Sequence, residues 1–456
     1  MKNLLYTFCM LVSMLTFQSC EELIDIELPN DQINTPDVYT DIQTANSALI
    51  NLYTNFRDGS LYSGSSVGLG TCLGLYTDEL ENLTPSSSSL GYFTLYDNQI
   101  NPTSSPISNI WSSSYTHIYA INAFIEGLIA SNTIQAKDKE VPLSEAILLR
   151  ALYYQGLAQL FGDIPYVTTT NYVLNSKIGK SNSMEVLKLI GDDLQQIEQK
   201  LTYQYRSSDK YYPNKAVVEL VLAKNYLLQK QYNKAETYAQ KVMSNSLYSM
   251  EDNLNTVFKK TAKSTLWQLS NGSNEASTTE AYNFIILTAP NYQISNSLLN
   301  AFDTNDQRKK NWISSITLNG IEFFYAYKYK NRTANTDECS VIFRLEEAHF
   351  IMIEALIYQQ KSSQAISLLN TIRNRAGLPD LSNNLNEDES INEMLKESQR
   401  EFFTEHGRRF FDLKRNNKLS ILSLSKPNWL PKHILFPYPE KETILNPNLL
   451  PQNNGY

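Results

Sequence analysis

Apolar residues recur at helical spacing over much of the chain. Between Asp41 and Phe56 they occupy positions 45, 48, 49 and 52, the i, i+3, i+4, i+7 pattern of an amphipathic helix. The same period returns in three later segments, which predicts helices over residues 111–129, 145–161 and 184–201. The predicted helix over residues 145–161 ends before Gly162 and Pro165, because proline cannot continue a helix.

A helix-turn-helix unit is present twice farther along the chain. Its apolar stripes cover residues 216–227 and 235–242 in the first copy, and 351–358 and 365–372 in the second. Small alanines beside large tyrosines let neighbouring helices approach closely, as in tetratricopeptide pairs. The marker alanines are two residues closer in the second copy (Ala355 to Ala365, against Ala223 to Ala235), which predicts a tighter turn there.

Helical period is lost in two intervening regions. Residues 57–110 are rich in Ser and Gly, and aromatic residues such as Tyr92 and Phe93 follow a tetraserine run at Ser86–Ser89, which is typical of a long irregular loop. Residues 251–340 carry alternating runs that predict short strands and loops. Residues 426–456, rich in Pro and Asn, are expected to be ordered coil. We therefore predict an all-α scaffold of tetratricopeptide-like helical pairs with irregular loop and short-strand inserts, forming one domain over residues 41–456.

The N-terminus has the pattern of an export signal. Lys2 precedes an apolar stretch that is too short to span a bilayer, and the stretch ends in Ser19-Cys20. A small residue before a cysteine resembles the lipobox of bacterial lipoproteins, which predicts removal of residues 1–19, lipid attachment at Cys20 and a tether over residues 20–40. The alternative is an ordinary secretory signal with a cysteine at its end by chance.

Composition excludes several classes of function. Of the 456 residues, 39 are Lys or Arg and 47 are Asp or Glu, and the formal charge of −8 argues against a nucleic-acid binder. Four Cys and four His offer few ligands for a metal, and HExxH, CxxC and Gly-rich phosphate-loop motifs are absent. Beyond the signal and Cys20, Cys72 and Cys339 either pair or stay separate buried thiols. We expect no enzyme activity, no metal and no cofactor.

Several segments of the mature chain carry a resemblance to one family. They are Leu148–Tyr154 with Leu160–Pro165, Arg344–Glu347, Leu369–Pro379, Arg400–Glu401 with Glu405–Arg415, Phe436–Pro439 and Gln452–Tyr456. Together with the lipobox they resemble the RagB/SusD family of Bacteroidetes surface lipoproteins. Glu21 and Glu22, directly after Cys20, are similar to the signal that sends such lipoproteins to the extracellular face of the outer membrane.

The resemblance implies a function as well as a fold. It implies nutrient capture without catalysis by a lid that docks on a SusC-like TonB-dependent outer membrane transporter and is held to the membrane by its lipid. The usual ligand is an oligosaccharide or polysaccharide, although some members take peptides. The rival interpretation is a helical-repeat scaffold that binds only proteins, but a scaffold has no need of long inserts that carry aromatic residues.

Aromatic residues in the inserts are the best ligand candidates. The C–H faces of a sugar ring stack on flat aromatic side chains, and loops display such side chains outside the core. The candidates are Tyr92, Phe93, Tyr282, Tyr292 and Trp312, with Asn291 as a hydrogen-bonding partner. For each aromatic residue the alternative is a loop anchor buried against the helices. By contrast, we expect the Arg and Glu residues of the shared segments, such as Arg344 and Glu401, to form ion pairs of the scaffold.

Overall fold

The computed structural model describes residues 38–273 and 275–456. The predicted signal peptide, the lipid attachment at Cys20 and the tether up to residue 37 lie outside the described residues. Within the described ranges, no helix combines the length and the apolar character needed to cross a membrane.

Helices dominate the chain up to residue 243. They are α1 (Ile42–Gly59), α2 (Leu69–Tyr76), α3 (Tyr92–Tyr96), α4 (Ser105–Ala130), α5 (Ala136–Phe161), α6 (Tyr172–Asn175), α7 (Ser183–Glu198), α8 (Lys215–Leu228) and α9 (Tyr232–Met243). A short strand, β1 (Leu80–Asn82), lies between α2 and α3. The N-caps of the amphipathic helices are polar, as helix N-termini require: the Asp41 carboxylate accepts from two backbone N–H groups at the start of α1.

The remaining chain alternates short elements with a second set of long helices. The short elements are β2 (Thr265–Leu269), α10 (Thr279–Phe284), β3 (Tyr292–Ile294), α11 (Asn296–Ala301), α12 (Gln307–Trp312), β4 (Ile313–Leu318), β5 (Ile321–Ala326) and β6 (Ser340–Arg344). Then follow α13 (Leu345–Tyr358), α14 (Ser362–Arg375), α15 (Glu387–Phe402), α16 (Arg408–Arg415) and α17 (Glu440–Leu445), with 3₁₀ turns at Leu419–Leu424, Pro431–Ile434 and Pro447–Leu449. Residues 426–456, predicted as coil, therefore contain short helical turns.

The long helices stack in one continuous series. Consecutive helices pack as neighbours from α4 through α5, α7, α8 and α9, and α9 then packs on α13 although residues 244–344 separate them in sequence. Tyr232 of α9 stacks on Tyr358 of α13 with ring centroids 4.8 Å apart. The two predicted helical pairs are thus adjacent layers of one scaffold, and the mostly helical fold is confirmed.

The prediction of a tighter turn in the second pair is wrong. Residues 229–231 connect the first pair and 359–361 the second, so both connections have the same length. Lys230 and Gln360 occupy the same left-handed position, with φ of 58° and 60°. Ala235 and Ala365 each lie five residues after this left-handed position and are therefore equivalent. Ala223 and Ala355 are not equivalent, because they lie at different distances before it. The shorter spacing between the alanines of the second pair therefore does not report the length of its turn.

The inserts are more regular than their sequences indicate. Residues 57–110 contain α2, β1 and α3, and every residue of α2 is buried. A helix surrounded by protein carries no polar face, so its sequence lacks the amphipathic period that predicts a helix. Three two-stranded antiparallel sheets form among the described residues, pairing β1 with β3, β2 with β6 and β4 with β5. The insert at 251–340 has the predicted short strands and also short helices.

A cluster of buried charges joins this insert to the second helical pair. Glu401 of α15 accepts from Arg344 of β6 (2.7 Å), Arg375 of α14 (2.6 Å) and Arg308 of α12 (3.2 Å). Burial raises the pKa of the Glu401 carboxyl, but the three guanidinium groups outweigh burial and hold the net pKa well below its ordinary value. Glu346, Glu397 and Glu405 complete the pairing of these arginines. The shared Arg and Glu residues therefore form ion pairs of the scaffold, as expected.

A second buried pair connects the N-terminal insert to the C-terminal helices. Asp78 lies two residues before β1. Arg409 of α16 donates to both of its carboxylate oxygens, at 2.9 and 2.8 Å. The Ser295 N–H donates to the Glu79 carbonyl at 3.0 Å, which joins the residues around β1 to those after β3. Two segments that are more than 200 residues apart are thereby placed side by side on the helical scaffold.

Cys72 and Cys339 are separate free thiols, and both are buried. Burial raises the pKa of the Cys72 thiol to about 12, so it stays protonated and unreactive at neutral pH. The open alternative left by the sequence is resolved in favour of two unpaired cysteines.

Replacing Glu401 should destabilise the fold strongly. Glu401→Gln removes the negative charge that three buried guanidinium groups share. Breaking a buried charge pair in this way lowers the free energy of unfolding by about 3–5 kcal/mol. Denaturant unfolding at pH 7 measures the loss. The advantage of the wild type over this variant should shrink as the pH falls below about 4.5, because a carboxylate with a depressed pKa loses its stabilising effect when it is protonated.

Two controls separate charge pairing from burial alone. Glu393 pairs with the exposed Lys396 at 2.7 Å, and Glu393→Gln should change the free energy of unfolding by less than about 1 kcal/mol. Glu79 is as buried as Glu401, but burial and the neighbouring Asp78 raise its pKa to about 8, so it is mainly protonated at pH 7. Glu79→Gln should therefore change stability by about 1 kcal/mol or less. Equal losses for Glu79→Gln and Glu401→Gln would contradict the charge-pairing account.

Candidate functional site

An open cleft of about 630 Å³ lies where the two inserts meet. Ser65, Ser66, Leu90 and Tyr92 of the N-terminal insert line one side, and the other side is lined by residues 277–279, 282–283 and 285–292 with Arg332. Four of the six predicted ligand residues line it: Tyr92, Tyr282, Asn291 and Tyr292. We call this space the first cleft.

Two tyrosines form the floor of the first cleft. The Tyr92 and Tyr292 rings meet edge to face with centroids 5.6 Å apart, and both side chains are buried. The Tyr92 hydroxyl hydrogen-bonds the Ser66 side chain, and the Tyr292 hydroxyl donates to Asn283 Oδ1. Burial raises the pKa of both hydroxyls, so both remain protonated at neutral pH. The floor is a fixed apolar surface.

Backbone pairing holds this floor in place. In the β1–β3 ladder Asn82 lies opposite Tyr292, and the Leu83 N–H donates to the Asn291 carbonyl at 2.8 Å. Asn283 Nδ2 donates to the Gly64 carbonyl (3.0 Å) and to Thr71 Oγ1 (2.9 Å), which connects α10 to α2 and to the loop before it. Both sides of the cleft are therefore linked by hydrogen bonds beneath it.

The rim of the first cleft presents an aromatic ring and a guanidinium group. The Tyr282 side chain is 67% exposed. The Arg332 guanidinium lies over its ring, 5.0 Å from the centroid, and Arg332 Nε donates to the Tyr282 carbonyl at 3.1 Å. Within the described part of the chain, neither the other Arg332 nitrogens nor the Asn291 side-chain amide have a hydrogen-bond partner. The rim thus offers a flat ring with free donors and an acceptor beside it.

The lining of the first cleft is rich in uncharged hydrogen-bonding groups. Hydroxyl and amide groups from Ser65, Ser277, Thr279 and Asn291 surround the aromatic surface, and such groups hydrogen-bond the hydroxyls of a polar ligand. Among the described residues, no Asp or Glu lines this cleft, and no group of three or more His, Cys, Asp or Glu side chains is placed to hold a metal ion.

Two of the predicted ligand residues lie elsewhere. Trp312 has 0% of its surface exposed, packs against Phe258, and donates from its indole N–H to the Leu254 carbonyl at 2.9 Å. The prediction that Trp312 is a ligand platform is corrected: it is a core residue at the end of α12. Phe93 is half-buried and does not line the first cleft, because the residue after Tyr92 on α3 faces another direction.

Several residues of the first cleft were not identified from the sequence. Arg332, Leu90 and the serines at 65 and 66 line it, but each lies in a polar segment without periodicity. Asp306, a carboxylate of the same insert, is by contrast buried and pairs with Arg308 at 2.8 Å. Only the tertiary structure distinguishes these cases.

Comparison with known proteins identifies the family. The model of the SusD family matches residues 170–428, and a second model, described as starch-binding and associating with the outer membrane, matches residues 71–227. The chain belongs to the SusD family. The two matches together span both helical pairs and all lining residues of the first cleft except Ser65 and Ser66.

Curated relatives in Formosa agariphila are similar over different lengths. SusD-like protein P38 is 23% identical over 98% of each chain, and SusD-like protein P2 is 26% identical over 77% of this chain and 81% of its own. SusD-like protein P25 is 22% identical, and the match spans 53% of this SusD-family chain and 46% of the relative.

Solved structures share the fold over nearly the whole chain. A SusD superfamily protein from Bacteroides vulgatus has a TM-score of 0.77 and 17% identity, covering 92% of this chain and 100% of that one. A laminarin-binding SusD-like protein has a TM-score of 0.76 and 20% identity, with coverage of 91% and 99%. Surface glycan-binding protein A from Bacteroides thetaiotaomicron has a TM-score of 0.75 and 16% identity, with coverage of 91% and 99%. At these identities the likeness shows the fold alone.

The different positions of Trp312 and Tyr282 predict different effects of truncation. Trp312→Ala should lower the free energy of unfolding by about 3–5 kcal/mol, because it empties a packed site and frees a buried carbonyl. Tyr282→Ala should lower it by less than about 1 kcal/mol, because most of the ring is already in water. Denaturant unfolding of the two variants checks both values. A Trp312→Ala variant as stable as the wild type would restore Trp312 as a displayed residue.

Proposed function

We propose that this SusD-family protein is a surface-exposed outer membrane lipoprotein that captures an oligosaccharide and delivers it to a SusC-like TonB-dependent transporter without chemical change. The observation that carries the proposal is the convergence of Tyr282, Asn291 and the buried Tyr92–Tyr292 pair on one open cleft. These residues come from the two inserts, which meet at this cleft.

The chemistry of the first cleft favours a carbohydrate. A pyranose ring has C–H faces that pack on an aromatic side chain, and its edge carries hydroxyls that need donors and acceptors in the same plane. The exposed Tyr282 ring supplies the flat face, and the Asn291 amide and Arg332 guanidinium supply hydrogen-bonding groups next to it. The similarity in fold to a laminarin-binding SusD-like protein and to a surface glycan-binding protein supports the same ligand class.

The distribution of carboxylates favours binding without hydrolysis. Glycoside hydrolysis uses two carboxyl groups on either side of the bond that is cleaved. The acidic residues Glu346, Glu401 and Glu405 are instead paired with buried arginines. Among the described lining residues of the first cleft none is acidic, so a bound sugar would meet hydrogen-bonding groups and a ring face alone.

Attachment to the outer membrane rests on the N-terminal sequence and on the family. Ser19-Cys20 has the pattern at which a lipid is added, and Glu21-Glu22 is similar to the signal for surface display. One of the two matching family models is described as associating with the outer membrane. Lipidation at Cys20 would hold the protein beside a transporter in the same membrane.

Alanine at Tyr282 should weaken glycan binding without unfolding the protein. We expect the dissociation constant to rise about tenfold, because the main exposed stacking surface is removed. Isothermal titration of the chain from residue 21 against laminarin, amylose, xylan, mannan, alginate and polygalacturonate identifies the glycan and measures the change. Tyr172 is 77% exposed and does not line the first cleft, so Tyr172→Ala is the matched control.

Two outcomes of that titration would contradict the proposal. Failure of every glycan, with binding of peptides instead, would assign the cleft to peptide uptake. Equal loss of affinity in the Tyr282 and Tyr172 variants would place the ligand outside the first cleft. A wild-type melting temperature in both variants shows that neither effect comes from unfolding.

Replacing Cys20 should remove the protein from the outer membrane. Cys20→Ala removes the thiol that carries the lipid, and the lipoprotein signal is cut only after the lipid is attached, so we expect the unlipidated precursor to be lost from the outer membrane fraction and to be recovered without the TonB-dependent transporter in pull-downs. Cys9→Ala, within the signal, is the control and should leave the amount in the outer membrane fraction and the recovery of the transporter unchanged. Retention of the Cys20→Ala variant in the outer membrane fraction would contradict lipid attachment at this residue.

A further inference from the structure

The first cleft is one of three adjoining clefts. A second cleft of about 410 Å³ shares Ser66, Leu90 and Tyr92 with the first, so these three residues form the boundary between the two. Leu90 is largely exposed at this boundary, whereas Tyr92 is buried beneath it. The second cleft extends from there to α4, where Asn109, Ser113 and His117 line it.

A third cleft of about 670 Å³ begins on the same helix. It shares Ser112 and Thr116 of α4 with the second cleft. Beyond them it is lined by Tyr115 and Tyr119, by residues between positions 165 and 178, and by residues within and directly after α17. The Tyr119 side chain is 54% exposed, and its hydroxyl has no hydrogen-bond partner among the described residues. Tyr115 is anchored from below by donating to the Pro165 carbonyl at 2.9 Å. The third cleft therefore has its own displayed aromatic ring.

The ridge between the second and third clefts is low. Ser112 and Thr116 are one helical turn apart on α4, and both are exposed. Their side chains are among the smallest polar ones, so a chain can cross α4 between the clefts without meeting a bulky side chain. The ridge hydroxyls can hydrogen-bond a ligand that crosses it.

The combined size of the clefts exceeds that of a small-molecule site. Each cleft alone lies within the range of about 300–1,000 Å³ that is usual for a small ligand. Three such clefts in series, with exposed tyrosines at Tyr282 in the first and Tyr119 in the third, match a repeating ligand that presents the same face several times. An extended chain has this property, and a single sugar does not.

Few charged groups line the series. Arg332 lines the first cleft, Glu442 lines the third, and among the described residues they are the only Arg, Lys, Asp or Glu side chains that line any of the three. His117 in the second cleft hydrogen-bonds the Tyr153 hydroxyl at 2.9 Å, and burial lowers its pKa, so it is neutral at pH 7. A sulfated or uronate chain would require several Arg or Lys partners along its length.

We propose that the three clefts form one groove that binds an extended, uncharged polysaccharide chain across α4. This inference rests on the proposed function, because it assigns the length and charge of the glycan that the first cleft captures. The third cleft is then a second aromatic contact for the same chain, and affinity rises with chain length until the chain reaches from Tyr282 to Tyr119.

Chain length and two variants of α4 test the groove. The probe is whichever of laminarin, amylose, xylan or mannan binds the wild type, offered as its trisaccharide and as the polymer. We expect the polymer to bind at least tenfold more tightly per chain. Tyr119→Ala should weaken polymer binding about fivefold or more, and Thr116→Arg, which raises the ridge, should weaken it similarly, whereas trisaccharide binding stays at the wild-type value.

Matched controls lie on the same helix. Ile129 of α4 is 62% exposed and lines none of the three clefts, so Ile129→Ala and Ile129→Arg should leave both affinities unchanged. Melting temperatures of all four variants should equal that of the wild type, because every changed side chain is exposed.

The possible outcomes separate the groove from the proposed function. Equal affinity for trisaccharide and polymer, or wild-type polymer binding by Tyr119→Ala and Thr116→Arg, overturns the groove while a loss in Tyr282→Ala still supports glycan capture. Tighter binding of alginate or polygalacturonate than of every neutral polymer overturns the assignment of an uncharged chain. Binding of no glycan at all contradicts the proposed function and the groove together.

Discussion

The pairing of Glu401 with three buried arginines is the constraint on which the rest of the structure depends. Its partners come from α12, β6 and α14, so one carboxylate joins the second insert to the second helical pair. Buried charges are costly unless each has a partner at close range, and this set therefore tolerates only one arrangement of the elements that carry it. The surrounding acidic residues, Glu346, Glu397 and Glu405, complete the pairing.

Fixed inserts explain how the first cleft is held on a helical scaffold. The Asp78–Arg409 pair and the β1–β3 ladder bring residues near positions 80 and 292 together, which places Tyr92 against Tyr292. Rigid support beneath a binding surface lowers the entropy lost on binding, because the side chains are already in position. Tyr282 can then remain exposed at the rim, where it is available to a ligand and contributes little to stability.

Aromatic residues in this protein divide by what lies around them rather than by the segment that contains them. Trp312 and Tyr282 both belong to the second insert, but Trp312 fills a space among Phe258 and the backbone of residue 254, whereas Tyr282 lies beside Arg332 at the surface. A residue of a regular helix can likewise be exposed: Tyr119 belongs to the long helix α4, and its side chain lies at the surface beside the third cleft. The separation of core from surface is therefore decided by neighbours that are distant in sequence.

The helical scaffold, the two helical pairs and the family can be inferred from sequence, because amphipathic period and the shared Arg and Glu segments are local patterns. Aromatic residues outside the periodic helices also indicated residues of the first cleft, although Tyr92 and Tyr292 are buried in its floor and only Tyr282 is exposed at its rim. The sequence did not reveal the buried helix α2, whose residues lack a polar face, or the burial of Trp312, or the contribution of Arg332. These features emerge only in the folded chain, because burial and the lining of a cleft depend on contacts between residues that no local pattern connects.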